Sequence, residues 1–355
     1  MERNRKTATI YDVAEMVGTS PRSVTRAFQQ DSGISEKTRQ KILAAAEEIG
    51  YRPNKAAGRM RGKSVRIACL IECAVDVFVD EVIRGMKIAA DALRDFKTEV
   101  LIRPCETMES FQDALDEITA LPVDGVVVMS TKIPEKYLQL LKKHRIPVIY
   151  IVLEPACIDQ EYRVQSDTLM KWKMAGSMLS LTCTDMGKLA IFAGRLEQNY
   201  LQEYLGGFRE TLTHAAQRTV DVYETEDIAD AAQKFALDII QSGKQYDGIF
   251  FASANSVPAI EVFRKHRYNA KIIASDVFPM MSEYIRDDTV AATIYQNPEK
   301  QARLAVMQMY QHLVQHDAML KTVKIRPQLV LAGNLEAYEH RNLSEIPDEI
   351  TEEGT

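Results

Sequence analysis

No stretch of this 355-residue chain strings together the ~18 apolar residues that a membrane-spanning helix needs, so such a helix is excluded. The opening Met1-Glu2-Arg3-Asn4-Arg5-Lys6 runs into polar sequence and not an apolar core, so no secretory leader and a cytoplasmic location are expected. Cysteines are few. Cys69, Cys73, Cys105, Cys157 and Cys183 are odd in number and scattered, which predicts reduced thiols and no disulfide framework. No His or Cys pair accompanies Cys69 and Cys73, so no metal site is expected. A glycine-rich phosphate loop, a His cluster and a Ser-His-Asp order are all absent, which argues against an enzyme and predicts no cofactor. The acidic, Pro-containing segment 341–355 carries no sustained Leu heptad; it predicts a disordered tail and no tetramerising coiled coil. Tryptophan occurs once, at Trp172, an interface residue or a cleft wall. What remains is ordinary for a globular protein, 46% hydrophobic and 26% charged, and long enough for two or three domains.

Charge is unevenly placed. Residues 1–63 hold 13 Lys and Arg against 7 Asp and Glu, whereas the whole chain nets -6, so a basic head precedes an acidic body. Such a head suits a polyanion. Its pattern is helical. Ile10, Val13, Ala14 and Val17 share one face behind Thr9 as N-cap, and Gly18-Thr19 breaks the run. A second helix starts with Ser20 as cap and Pro21 at its first position, with Val24, Ala27 and Phe28 inward and Arg22, Ser23, Thr25 and Arg26 outward. A third is capped by Ser35, buries Ile42, Ala45, Ala46 and Ile49, and ends at Gly50. Two short helices around a Gly turn, the second with a polar outer face, describe a helix-turn-helix. In that geometry the start of the second helix enters the major groove, where an Arg fork matches guanine O6 and N7. A plain three-helix scaffold with a charged surface fits the same spacing.

Specific residues go further. Thr9-Ile10-Tyr11-Asp12-Val13-Ala14, Gly18-Thr19-Ser20, Ser23-Val24-Thr25-Arg26, Ser35-Glu36-Lys37-Thr38-Arg39, Ala44-Ala45-Ala46, Ile49-Gly50-Tyr51-Arg52-Pro53-Asn54 and Gly62-Lys63 together resemble the head of the lactose-repressor (LacI) family of bacterial transcription regulators. The resemblance implies a helix-turn-helix domain over 1–53, a hinge over 54–63, a ligand-binding core, and a homodimer on a pseudo-palindromic double-stranded DNA operator. It makes Pro21 and Arg22 the variable base-reading pair and gives Arg26 a base edge. Ser20, Ser35 and Thr38 are assigned to phosphates, which fix register without reading sequence. Asn54 opens the hinge, which forms a helix only on DNA in this family, and Met60 stands where an apolar wedge, usually Leu, enters the central base step of the minor groove. Gly58 costs such a helix ~1 kcal/mol, which phosphate contacts from Lys55, Arg59, Arg61 and Lys63 offset.

The body alternates strand and helix. Val65–Ile71, Glu99–Ile102, Gly125–Met129 and Pro147–Val152 read as strands, with helices over Phe78–Leu93, Ala114–Leu121 and Tyr137–His144 between them. The pattern restarts at Leu189–Gly194, Gly248–Ala252 and Lys271–Asp276. Continuous apolar strands mean parallel sheets covered by helices, here two doubly wound α/β lobes with a ligand cleft at their strand ends. This region resembles the type I periplasmic-binding-protein core of the same family, with three crossings placed near 163, 296 and 325. That assigns 64–163 and 297–324 to an N-terminal lobe and 164–296 and 325–340 to a C-terminal lobe. The resemblance makes Phe78 an aromatic stacked on a sugar, Asp276 the ligand-binding carboxylate and Gln296 a cleft residue at a crossing. Ser253 and Asn255 fall near the family's Asn-Asp. Tyr204 stands where many members carry a clamp Arg, so an anionic ligand is disfavoured. Gly206-Gly207 reads as close helix packing. These residues predict a repressor of carbohydrate or polyol uptake and catabolism, answering to a sugar or cyclitol; a solute receptor without DNA control is the alternative.

Overall fold

The computed structural model describes residues 10–28, 34–49, 51, 64–73, 76–130, 133–153, 162–184, 186–194, 198–214 and 218–339, apart from the side chains of Ile10, Arg22, Thr25, Asp76, Val77, Gln198 and Asn199. The chain divides into two compact units, a head over Met1–Lys63 and a body that begins at Ser64.

The head contains α1 (Ile10–Val17), α2 (Pro21–Ala27) and α3 (Glu36–Glu48). Gly18 ends α1 with φ +66°, a left-handed conformation that costs glycine nothing, while Thr19 N–H closes onto Ala14 O at 2.9 Å. Ser20 Oγ accepts from Ser23 N at 3.1 Å and Ser35 Oγ from Thr38 N at 3.3 Å, so two of the three expected caps are made, and the third, Thr9, lies outside the described residues. Val13, Ala14, Val24, Ala27, Ile42, Ala45 and Ala46 form the core. Phe28 departs from the inner stripe expected of it. It lies beyond the end of α2, 36% exposed, edge-on to Tyr51 with centroids 6.1 Å apart.

The body holds two six-stranded sheets. The N-terminal lobe has β1 (Val65–Glu72), β2 (Thr98–Cys105), β3 (Gly125–Met129), β4 (Val148–Ile151), β5 (Tyr162–Ser166) and β11 (Thr322–Ile325), in the order β11-β5-β4-β3-β1-β2, all parallel. Its helices are α4 (Asp76–Leu93), α5 (Met108–Ala120), α6 (Glu135–Lys143) and α12 (Pro298–Tyr310). The C-terminal lobe has β6 (Leu189–Ala193), β7 (Val220–Glu224), β8 (Gly248–Phe251), β9 (Lys271–Ser275), β10 (Ala292–Tyr295) and β12 (Gln328–Val330), in the order β12-β10-β9-β8-β6-β7, with only β12 antiparallel. Around it lie α7 (Thr168–Thr182), α8 (Gln198–Glu210), α9 (Ala229–Ser242), α10 (Val257–Lys265), α11 (Pro279–Arg286) and α13 (Glu336–Glu339).

Strand β6 explains the continuous apolar runs. Ala190 and Phe192 enter one core, while Leu189, Ile191 and Ala193 enter the other, so both faces of the sheet are covered. Helix packing is equally specific. A Cβ on Gly176 of α7 would meet Thr211 Oγ1 at 2.3 Å and Phe208 O at 2.5 Å, and one on Gly207 of α8 would meet Leu169 Cδ1 at 2.4 Å. Glycine on both helices therefore sets their approach, while Gly206 faces nothing within 4 Å. The lobes are joined between Ser166 and Thr168, between Tyr295 and Pro298, and between Ile325 and Gln328. The first crossing follows Ser166, since β5 pairs with β4 to Val164 and with β11 to its last residue.

Candidate ligand cleft and DNA-reading head

A cavity of about 320 Å³ opens between the two lobes at the carboxyl ends of their strands. The N-terminal lobe contributes Glu72 and Cys73 from the end of β1, Phe78 from the first turns of α4, Glu106 after β2, Met129 at the end of β3, and Val152 and Leu153 after β4. The C-terminal lobe contributes Lys171 and Trp172 from α7, Ser253 and Asn255 after β8, Asp276 after β9 and Gln296 after β10, with Glu226 and Asp227 at the loop after β7.

The polar floor is a connected chain. Asp276 is 3% exposed and has φ +66°, a left-handed conformation that Asp tolerates better than most residues. Its Oδ1 accepts from Gln296 N at 3.0 Å and its Oδ2 from Gln296 Nε2 at 2.8 Å. Gln296 Oε1 accepts from Lys171 Nζ at 3.0 Å, and the same ammonium donates to Ala252 O at 2.9 Å. Lys171 is 5% exposed. At the rim, Ser253 Oγ donates to Asp227 Oδ1 at 2.7 Å and Asn255 Nδ2 donates to Asp227 O. Glu226 and Asp227 hold successive left-handed conformations, φ +53° and +57°. On the opposite wall Ser130 Oγ donates to Glu72 Oε2 at 2.9 Å. Burial pushes the nearby Cys105 thiol up, and the charge of Glu72 adds to the effect. Val152 carries φ +67°, strained for a β-branched residue, where the chain turns along the cavity.

Five of the six ligand-contact residues expected from sequence, Phe78, Ser253, Asn255, Asp276 and Gln296, line this cavity. The sixth, Tyr204, does not. It is 4% exposed in the core behind the wall, stacked on Tyr200 at 6.0 Å and tilted against Trp172 at 6.0 Å. Its ring fills the space between α7 and α8, which corrects its assignment to the ligand. Trp172, 1% exposed and edge-on to Phe250 at 5.5 Å, is a cleft wall. The sequence reading missed Lys171. The sequence signal is its burial alone: Lys171 shares the inward side of α7 with Ala175 and Leu179, at helical spacing.

In the head, Ser20 and Ser35 spend their hydroxyl oxygens as caps, and each also bonds a neighbouring hydroxyl, Ser23 Oγ at 3.0 Å and Thr38 Oγ1 at 2.8 Å. Pro21 and Ser23 are half-buried and Arg26 is exposed on α2. Arg22 and Thr25 lie on the same helix, their side chains outside the described residues, as are Asn54, Lys55, Arg59 and Met60. No group of three or more His, Cys, Asp or Glu among the described residues is placed to hold a metal ion, and no described helix is long and apolar enough to cross a membrane.

Residues 67–317 match the periplasmic binding protein domain, and residues 9–54 match the bacterial regulatory proteins of the lacI family. Among curated proteins, the catabolite control protein A of Priestia megaterium is 26% identical over 223 residues, 61% of this chain and 65% of that protein. The HTH-type transcriptional repressor PurR of Vibrio vulnificus is 27% identical over 213 residues, 59% of this chain and 61% of that protein. The matched region thus spans less than two thirds of either relative. Among solved structures, a solute binding protein of Bacillus halodurans with bound myo-inositol superposes with a TM-score of 0.68 at 17% identity, covering 78% of this chain and 99% of that one. A periplasmic solute binding protein of Actinobacillus succinogenes with bound D-allose superposes equally well, TM-score 0.68 at 16% identity, covering 77% and 100%. These two likenesses describe the fold.

Proposed function

The chain belongs to the lacI family of bacterial regulatory proteins, with a periplasmic binding protein domain as its body, and from that premise we propose that it is a ligand-responsive repressor of transcription. One observation carries the reading: a helix-turn-helix and a two-lobed cavity of about 320 Å³ occupy one chain. The protein works in the cytoplasm as a homodimer on a pseudo-palindromic operator, and controls genes for the uptake and catabolism of a carbohydrate or polyol. Arg22 and Arg26 read bases from α2, and Ser20, Pro21, Ser23, Thr25, Ser35 and Thr38 settle the head on the duplex. Asn54 opens the hinge, Lys55 and Arg59 contact phosphates, and Met60 wedges into the minor groove.

The effector is a sugar or cyclitol. Phe78 lies against its apolar face, the carboxylate of Asp276 accepts its hydroxyl hydrogens, and Ser253, Asn255 and Gln296 complete the cleft. Binding changes lobe closure, and residues 54–63 pass the change to the head. Coupling of this kind is reciprocal, so effector and operator weaken each other's binding by one factor.

The test is a selection of random double-stranded DNA on the full-length protein, repeated with candidate sugars and cyclitols added. Enrichment of a two-fold symmetric sequence, lost when one of these ligands is present, is the expected result. Recovery of no sequence above background would leave a solute receptor and overturn the regulator.

A further inference from the structure

We infer that the effector carries a protonated amino group held between carboxylates of the two lobes, as an amino sugar or an aminocyclitol would. This rests on reading the cavity as the effector site, and it fixes the charge of what fills that site. Five carboxylates line the cavity, Glu72 and Glu106 from the N-terminal lobe and Glu226, Asp227 and Asp276 from the C-terminal lobe. Lys171 is the one ammonium among the lining residues. It is 5% exposed and donates to Ala252 O at 2.9 Å and to Gln296 Oε1 at 3.0 Å. A cleft lined by an excess of one sign focuses that potential inward, and the ligand it concentrates has the opposite sign.

The carboxylates are placed as a receptor for N–H donors. Glu72 is half-buried, and its Oε2 accepts from Ser130 Oγ, a fully buried hydroxyl, at 2.9 Å. Glu72 is in register with Cys105, the residue before Glu106, so the ends of the neighbouring strands β1 and β2 set two carboxylates on one wall. Among the described residues neither Glu72 nor Glu106 forms an ion pair. Across the cavity, Asp227 Oδ1 accepts from Ser253 Oγ at 2.7 Å. A carboxylate offers about four acceptor positions, so one hydroxyl on each leaves room for more donors, and an ammonium is three donors with no acceptor. Phe78, on the same lobe as Glu72, adds an aromatic face to which a cation is drawn.

Carboxylates on both lobes repel one another as the cleft closes. A neutral ligand leaves that repulsion in place, and an anionic one adds to it. An ammonium between the walls replaces it with attraction to each, so the charge that binds is also the charge that closes the lobes.

The experiment removes the carboxylate charges one at a time and reads the charge of what binds. Full-length wild type, Glu72→Gln, Glu106→Gln and Asp227→Asn are titrated by calorimetry with D-glucosamine, N-acetyl-D-glucosamine, D-glucose, D-glucuronate and spermidine, a cation without hydroxyls. A pH of ~6.5 keeps amines protonated and carboxylates ionised. We expect the wild type to bind D-glucosamine about tenfold or more tighter than D-glucose or the N-acetyl form, with D-glucuronate weakest. Raising salt from about 0.05 to 0.5 M narrows the gap. Glu72→Gln and Asp227→Asn keep an oxygen for Ser130 and Ser253 and lose only the charge, and each cuts the preference for D-glucosamine over D-glucose by about threefold or more.

A merely structural carboxylate would lower every affinity together and leave the preference unchanged. Equal affinity of the wild type for D-glucosamine and D-glucose overturns the inference and leaves the sugar reading of the cavity intact. Binding of no cationic probe, or an unchanged preference in all three variants, overturns it as well. Binding of spermidine with rejection of every sugar upholds the amino group and overturns the sugar reading. Glu106 is exposed and Glu106→Gln breaks no described bond, so that arm decides the question should Glu72→Gln or Asp227→Asn fold poorly.

Discussion

Replacing Asp276 by Asn should weaken the fold as well as ligand binding, and the size of the effect follows from two bonds. The carboxylate accepts from Gln296 N at 3.0 Å and Gln296 Nε2 at 2.8 Å, one oxygen for each. An asparagine has one oxygen and one NH₂ group. Either way round, one Gln296 donor faces another donor, and the surviving bond loses its charge. Hydrogen bonds to charged groups contribute about 1.5–3 kcal/mol against ~1 kcal/mol for neutral ones. Losing one and weakening the other costs about 2–4 kcal/mol. For a body of this size, each kcal/mol is worth roughly 2–4 °C, so the C-terminal-lobe transition should fall by about 5–15 °C in differential scanning calorimetry. The double variant Asp276→Asn/Gln296→Met should lose less than the two single variants together, with a coupling of about 1–3 kcal/mol. A transition within ~1 °C of wild type, or strict additivity, would refute the claim that the carboxylate holds Gln296.

The other predictions concern the head and alkaline stability. Arg22→Ala should cost about 1–3 kcal/mol on the preferred operator and relax base choice at one position per half-site; equal weakening on all sequences would make Arg22 a phosphate contact only. Met60→Ala should lose specific affinity and operator bending while non-specific binding stays nearly constant, which gel phasing and competition with random DNA read directly. Burial pushes the Tyr284 hydroxyl up to about 12, helped by its bond to Glu261 at 3.1 Å, so the folded state holds this proton longer than the unfolded one. Its stabilisation is complete below pH ~10 and is lost as pH rises through about 12; urea melts across this range should show a falling limb that Tyr284→Phe flattens.

Much of this molecule was legible without coordinates because its signals are local. Ser20 before Pro21 and Ser35 before Glu36 announce helix starts through chemistry confined to one turn. Gly125–Met129 is buried on both faces, so a continuous apolar run marks the strand without ambiguity. Edge elements were harder to read. β7 is half-exposed and reads Val-Asp-Val-Tyr-Glu, the edge strand β11 carries Lys324, and its neighbour β5 carries Arg163 and Gln165. Helix α5 begins at Met108, six residues before the expected Ala114, because its start is set by the Thr107–Ser110 capping box, and Phe111 already belongs to its buried face.

The cleft divides the same way. Asp276 and Gln296 announce themselves at strand ends, where ligands of parallel sheets gather. Lys171 lies on a helix, and only the convergence of α7 with β8 and β10 reveals its role. Tyr204 shows the converse error. The family resemblance puts it at the cleft, but its ring lies in the core against Trp172, where α7 and α8 pack closely.

Coupling between the two ligands tests the regulator most directly. With the selected operator and a sugar or cyclitol that displaces it, fluorescence anisotropy gives the operator Kd with and without saturating sugar. Calorimetry gives the sugar Kd with and without saturating operator. The account predicts that both constants rise by one factor, about 5–150-fold. Operator affinity that ignores a sugar bound in the Asp276 cleft would contradict it.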